Sequence, residues 1–91
     1  MKIGVLGSGM VGQALATRLV SLGHEVTVGR RDVHKLDDWL ASVDHKARVG
    51  SFAEAAANGE VVFNATAGSG ALNALRMAGA DNLRGKVVVD I

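Results

Sequence analysis

Cysteine is absent from this chain, and its positive and negative charges nearly cancel. Without cysteine there is no disulfide, no thiol nucleophile and no thiolate metal site. The formal net charge is +1, with acidic and basic residues interspersed, so we expect neither nucleic acid nor an anionic membrane as a partner. The sequence also lacks the pattern of a secretory signal and any apolar run long enough to span a membrane. We therefore expect a cytoplasmic protein, because a chain without cysteine also suits a reducing compartment.

Side chains that could carry acid–base or metal chemistry are few. His24 falls in a predicted turn, and His45 lies in a charged loop with no carboxylate or histidine at metal-ligand spacing. Asp37 and Asp38 are adjacent, and adjacent helix residues do not face each other, so we expect a solvated pair. The sequence thus predicts no metal site and identifies no catalytic residue. Hydride transfer between two bound cofactors fits such a chain, because it depends on positioning more than on proton transfer from a side chain.

The first twelve residues hold the most informative pattern. A strand-like run, Lys2–Leu6, leads into Gly7, Ser8, Gly9, Met10, Val11 and Gly12, which is the spacing of a dinucleotide-binding turn. Such a turn needs its first glycine for a tight bend, its second for the approach of a pyrophosphate, and its third for close packing of helix on strand. The N–H groups of the helix that follows would face the phosphates.

Alternating strand and helix patterns fill the rest of the chain. Strands are predicted at 2–6, 25–29, 47–49, 61–65 and 86–91, and helices at 10–22, from Asp32 through Val43, at 52–58 and at 71–78. The apolar face of the first helix is predicted to be Val11, Ala14, Leu15, Leu19 and Leu22. Trp39 is assigned to the core, and the fourth strand is apolar enough for burial on both faces. The order predicts one α/β domain over residues 1–91, a Rossmann-type parallel sheet of about five strands, in the order 3-2-1-4-5, with helices on both faces.

The residues after the second strand indicate which dinucleotide binds. An NAD-binding domain usually has an acidic residue there for the ribose 2′-hydroxyl, whereas this chain has Gly29, Arg30 and Arg31. A small residue leaves room for a 2′-phosphate, and a guanidinium group offers donors that match its oxygens. We therefore predict NADP(H) rather than NAD; the alternative is that both arginines are solvated loop charges. Thr66 and Ala67, after the fourth strand, are predicted neighbours of the cofactor.

Three segments together carry a resemblance to a known family. With Gly-Ser-Gly-Met-Val-Gly at 7–12, Leu-Gly-His-Glu-Val at 22–26 and Gly-Arg-Arg-Asp at 29–32, the chain resembles the N-terminal domain of the NADP oxidoreductases that use a deazaflavin coenzyme (coenzyme F-420). The resemblance implies hydride transfer between NADPH and the deazaflavin, with residues 8–11 at the pyrophosphate. It also implies residues 29–31 at the 2′-phosphate and residues 66 and 67 near the nicotinamide. The family usually has a proline and a bulky residue after the fourth strand, where this chain has Ala-Gly-Ser-Gly at 67–70.

Other interpretations of the same residues remain open. The pyrroline-carboxylate reductases and β-hydroxyacid dehydrogenases share this N-terminal fold, which makes an NADPH reductase of a small imine or keto substrate an alternative. A module that binds or senses NADP(H) without turnover is another. Relatives continue into a C-terminal domain that completes the second-substrate pocket, and we expect these 91 residues to lack it. From the resemblance we expect a small redox co-substrate as a partner. The last strand is apolar enough to need cover and a neighbour at its edge, so we also expect either self-association through that edge or a longer native chain.

Overall fold

The computed structural model describes residues 1–30, 36–66 and 70–91, and strands and helices alternate through these ranges. The elements are β1 (Lys2–Leu6), α1 (Met10–Ser21), β2 (Glu25–Gly29), α2 (Asp37–Ser42), β3 (Ala47–Gly50), α3 (Phe52–Asn58), β4 (Val61–Asn64), α4 (Gly70–Ala78), α5 (Ala80–Leu83) and β5 (Val87–Asp90). Every predicted strand and helix is present. The predicted first turn of α2 lies outside the described residues. None of the described helices is both long enough and apolar enough to cross a membrane.

All five strands are parallel, in the order β3-β2-β1-β4-β5, which confirms the predicted sheet. Leu6, the last residue of β1, is level with Gly29 of β2 and with Asn64 of β4. The three central strands therefore end together at one edge. The strand order reverses direction at β1, and parallel sheets of this kind bind ligands at the carboxyl edge beside such a reversal.

Helix α1 buries smaller residues than its apolar pattern predicts. Its buried residues are Gly12 and Ala16, and a Cβ on Gly12 would overlap the carbonyl oxygen of Gly7. The predicted apolar face is wrong in part, because Val11, Ala14 and Leu22 are exposed, while Leu15 and Leu19 border the core. A glycine at position 12 lets the first turn of the helix lie directly against the turn that follows β1.

Two apolar clusters cover the two faces of the sheet. One joins β1 and β2 to α1 and α2 through Ile3, Val5, Ala16, Val26, Val28, Leu36, Trp39 and Val43; the other joins β1 and β4 to α3 and α4 through Leu6, Phe52, Ala55, Ala56, Val62, Ala74 and Ala78. Trp39 is buried, as predicted, and its Nε1 donates to the hydroxyl of Thr17 at 3.0 Å. The predicted burial of β4 on both faces is wrong for one of them: Val61 and Phe63 are half-buried, because α1 packs over β1 and β2 instead.

Side-chain hydrogen bonds mark the start of α3 and the junction between α4 and α5. Ser51 caps α3, as predicted: its hydroxyl accepts from the Glu54 N–H at 3.1 Å, and the Glu54 carboxylate accepts from the Ser51 N–H at 3.0 Å. Helix α5 was not predicted. It follows Gly79, whose φ is +90°, and the Asn82 side chain donates to the carbonyl of Ala78 at 2.8 Å. Four residues are too few for an apolar period to reveal a helix.

Strand β5 is the outermost strand of the described sheet, and it pairs with β4 alone. All four of its residues are exposed; the exposed fractions are 60% for Val87, 39% for Val88 and 37% for Val89. The Lys86 ammonium, just before the strand, donates to the carbonyls of Ala56 and Ala57 at the end of α3. Strand β5 is therefore fixed by its pairing with β4 and by the Lys86 bonds to α3, whereas its outer edge and its side chains are exposed.

Candidate functional site

The glycine turn lies at the carboxyl edge of the sheet, between the ends of β2 and β4. The Gly7 N–H donates to the carbonyl of Gly29 at 3.0 Å, and the Ala65 N–H donates to the carbonyl of Leu6 at 2.8 Å. Gly7 has a φ of +112°, and a Cβ there would lie 2.9 Å from the carbonyl oxygen of Ala65. Only glycine satisfies both constraints. The structure therefore brings the predicted turn together with the residues after β2 and β4.

The second glycine of the turn, Gly9, has no such internal constraint. Its φ is −72°, which any residue adopts, and a Cβ there would meet no described atom within 4 Å. Gly9 is also the N-cap of α1, where no side-chain hydrogen bond is present among the described residues and the first turn carries no acidic residue. The bare backbone and the positive end of the helix dipole together form a place suited to a phosphate.

The residues next to Gly9 complete this part of the site. The side chain of Gln13, one turn into α1, donates to the carbonyl of Ser8 at 2.7 Å and so holds the loop in place; sequence reasoning missed this contact. Met10 is 90% exposed and Val11 is also exposed. Two apolar side chains therefore border the start of α1, beside the predicted position of the pyrophosphate.

Gly29, at the end of β2, is buried, and its small size has a packing role that the sequence did not indicate. A Cβ on Gly29 would lie 3.0 Å from the Cβ of Ala55 and 3.0 Å from the carbonyl oxygen of Ser51. A side chain at this position would therefore point at α3. Close packing of α3 on β2 requires glycine here, and the prediction that the small residue also leaves room for a 2′-phosphate stays a prediction.

Arg30 follows Gly29 and is half-buried. Its N–H donates to the carbonyl of Gly50 at 3.0 Å and extends the pairing of β2 with β3. Its side-chain Nε is buried and has no hydrogen-bond partner within the described part of the chain. A buried donor without an acceptor costs roughly 1 to 3 kcal/mol, and more when it is charged, so an anion bound here would relieve that cost. Arg31 lies outside the described residues.

The segment after β4 forms the other flank of the crevice. Thr66 is half-buried, and both its N–H and its hydroxyl donate to Oδ1 of Asn64, at 3.3 Å and 2.5 Å. Asn64 itself is completely buried. Sequence reasoning named Thr66 and overlooked Asn64, although asparagine commonly bonds the backbone two residues further on. Ala67 lies outside the described residues.

Several other charged side chains gather at the opposite, amino edge of the sheet. A cavity of about 840 Å³ there is lined by residues that include Lys2, Glu25, His45, Arg48 and Glu60. His24 precedes β2 and so lies at the same edge. Within the described ranges, no three histidine, aspartate or glutamate side chains come together as metal ligands. Among the described residues, the groups predicted to bind a dinucleotide lie at the carboxyl edge, on the glycine turn and its two flanks.

Comparison with known proteins places this geometry among nucleotide-dependent oxidoreductases. The model of the family described as "NADP oxidoreductase coenzyme F420-dependent" matches residues 2–91. Metalloreductase STEAP3 of Rattus norvegicus is 37% identical over 90 residues, which are 99% of this chain and 17% of that protein. The crystal structure of a protein from Arthrobacter sp. FB24, named an F420-dependent NADP-reductase, superposes with a TM-score of 0.93 at 46% sequence identity. The superposition covers all of this chain and 44% of the Arthrobacter chain. The chain thus spans less than half the length of either relative.

Proposed function

The chain belongs to the family of coenzyme F420-dependent NADP oxidoreductases, and from this membership we propose that it binds NADP(H) and positions it for hydride transfer to a deazaflavin coenzyme or a similar acceptor. The observation that carries the proposal is the buried Nε of Arg30, which has no acceptor among the described residues. This donor follows directly on Gly29, whose carbonyl is bonded to the glycine turn. A 2′-phosphate would supply the oxygen acceptors that it lacks.

Each part of the dinucleotide has a matching group on this chain. The bare backbone at Gly9 and the N–H groups that begin α1 would bind the pyrophosphate. Arg30 would bind the 2′-phosphate, and Thr66 would lie on the nicotinamide side. When bound, the cofactor supplies the hydride, and the protein groups bind and orient it for the acceptor. The side chains at this edge are suited to positioning, which is the contribution that hydride transfer between two cofactors demands.

The Arg30→Ala variant tests the phosphate assignment. A hydrogen bond to a charged group contributes roughly 1.5 to 3 kcal/mol, so the loss should weaken NADPH binding by about ten- to a hundredfold and leave NADH binding almost unchanged. Calorimetric titration with both cofactors measures the two affinities directly. Arg48→Ala is the matched control, because Arg48 is an exposed arginine of β3 at the opposite edge of the sheet.

Two results would contradict the assignment. One is an equal loss of affinity for NADPH and NADH in Arg30→Ala, which would indicate a general disturbance of the site. The other is a loss in Arg48→Ala as large as that in Arg30→Ala, since net charge alone would then account for it.

The acceptor is tested separately, by absorbance, with NADPH and a deazaflavin in one reaction and NADPH and a metal-ion complex in another. The two acceptors are chosen because the Arthrobacter relative is named for F420 and the rat relative is named a metalloreductase. We expect oxidation of NADPH with the deazaflavin. Tight NADPH binding without oxidation by either acceptor would favour the alternative, a module that binds the cofactor without turnover.

A further inference from the structure

The amide of Asn64 has a fixed orientation, and this orientation determines what the neighbouring hydroxyl can do. The Thr66 N–H points at one terminal atom of the amide, at 3.3 Å. A backbone N–H only donates, so that atom must be the amide oxygen. The Thr66 hydroxyl lies 2.5 Å from the same oxygen and therefore donates its single proton to it. Because its only proton is used in this bond, the hydroxyl can accept further hydrogen bonds through its lone pairs but cannot donate another.

Asn64 occupies a position where an apolar residue would fit the packing. Val62, two residues earlier on the same face of β4, is completely buried among apolar side chains. Burying an amide in such surroundings is costly unless its polar atoms are bonded. The bonds to Thr66 provide part of that compensation, and they fix a residue that lies outside the strand. The buried amide thus orders the segment that leaves β4.

This segment also supports the glycine turn. The space where a Cβ of Gly7 would stand is 2.9 Å from the carbonyl oxygen of Ala65 and 3.1 Å from the nitrogen of Thr66. The peptide group that joins Ala65 to Thr66 therefore lies directly against Gly7. A change in the Asn64 bonds would move both the hydroxyl of Thr66 and the surface on which the turn rests.

On these grounds, and resting on the proposed function, we propose that Asn64 is a positioning residue for the cofactor. It holds the Thr66 hydroxyl as a pure acceptor for a hydrogen-bond donor on the nicotinamide–ribose half of NADP(H), where the carboxamide amine and the ribose hydroxyls are the available donors. The Thr66 hydroxyl would then raise the affinity for ligands that carry the nicotinamide–ribose half and would not affect the affinity for ligands that consist of the adenosine half alone.

The test compares two variants of Thr66 with two ligands by calorimetric titration. Thr66→Val removes the hydroxyl and keeps the shape, whereas Thr66→Ser keeps the hydroxyl. NADP⁺ carries the nicotinamide half, and adenosine 2′,5′-bisphosphate lacks it. We expect Thr66→Val to weaken NADP⁺ binding by about three- to tenfold, as for one neutral hydrogen bond, and to leave the bisphosphate affinity unchanged within about twofold. Thr66→Ser should bind both ligands as the unaltered protein does.

The role of Asn64 is tested by a double-mutant cycle. Asn64→Ala should weaken NADP⁺ binding measurably, by up to the factor seen in Thr66→Val, because the hydroxyl remains but is no longer held as an acceptor. The double variant Asn64→Ala/Thr66→Val should bind no more weakly than Thr66→Val alone. A residue with only a structural role would instead give losses that multiply. If Asn64→Ala does not fold, Asn64→Leu, which is closer to asparagine in volume and also lacks the acceptor, takes its place in the same cycle.

The outcomes separate this inference from the function on which it rests. If the unaltered protein binds neither ligand, the proposed function fails and the inference fails with it. If it binds both, the inference alone is overturned by equal affinities of Thr66→Val and Thr66→Ser for NADP⁺, by an equal loss for the bisphosphate, or by losses that multiply in the cycle.

Discussion

Strands β2 and β5 are both rich in valine, and their surroundings are very different. Both are short parallel strands rich in valine. Val26 and Val28 of β2 are buried between β1 and β3, with α1 on one face and α3 on the other. The valines of β5 are all exposed, and β4 is their only partner strand among the described residues. The apolar character of a strand therefore indicates that burial would stabilise it, and the neighbouring elements determine whether this chain provides that burial.

The largest expected difference between the two strands is the response to a charge. Val28→Asp should lower the free energy of unfolding by more than about 4 kcal/mol, because it places an unpaired carboxylate in a completely buried position. The matched change Val88→Asp should alter it by less than about 1 kcal/mol, since the side chain reaches solvent. Chemical denaturation followed by circular dichroism measures both. Similar losses in the two variants would mean that β5 is covered in solution.

A smaller effect is expected at Gly29, which packs β2 against α3. Gly29→Ala should lower the free energy of unfolding by about 1 to 3 kcal/mol, because the new methyl group would crowd Ser51 and Ala55. Gly9→Ala is the control, since its methyl group would enter open space; it should leave stability unchanged and weaken NADPH binding. The packing role would be refuted if Gly29→Ala were as stable as the unaltered protein and lost only its affinity for NADPH.

The smallest expected effect concerns the open edge of β5. We expect a weak association of two copies through this edge, because an exposed apolar edge strand can pair with another. Val87→Lys should abolish it, whereas Leu72→Lys should not; both side chains are 60% exposed, but Leu72 lies on α4. Light scattering over a range of concentrations measures the mass. A single-copy mass for the unaltered protein at high concentration would rule out the association.

The sequence predicted the sheet better than the packing. Strand order follows from the alternation of strands and helices, and β3 was predicted from that alternation alone; the structure pairs it with β2 in register from Val26 to Gly29. The buried face of α1 was predicted wrongly in part, because apolar periodicity favours large residues, whereas the contact is made by Gly12 and Ala16. Contacts of this kind depend on how closely a helix packs against its neighbours, and the spacing of apolar residues in the sequence gives no information on that distance.

In the candidate site, too, the sequence predicted the features that depend on local pattern and missed one that depends on three-dimensional packing. The glycine spacing predicted Gly7 and Gly12 with the correct physical reasons, because each reason is local to the turn. Arg30 was predicted from its place after β2, and the structure adds that its Nε is buried without an acceptor in the described ranges. Asn64 was overlooked because its importance comes from an orientation in three dimensions. The predicted sites at Arg31 and Ala67 stay predictions.

Ala55 of α3 touches the two central strands at once. Its carbonyl group lies where a side chain of Gly4 in β1 would stand, and its methyl group lies 3.0 Å from the place that a side chain of Gly29 would take. Because a close-packed interior transmits small displacements, a shift of this helix would be passed to both strands. The methyl group of one alanine thus acts as a spacer that sets the distance between α3 and the end of β2, next to Arg30.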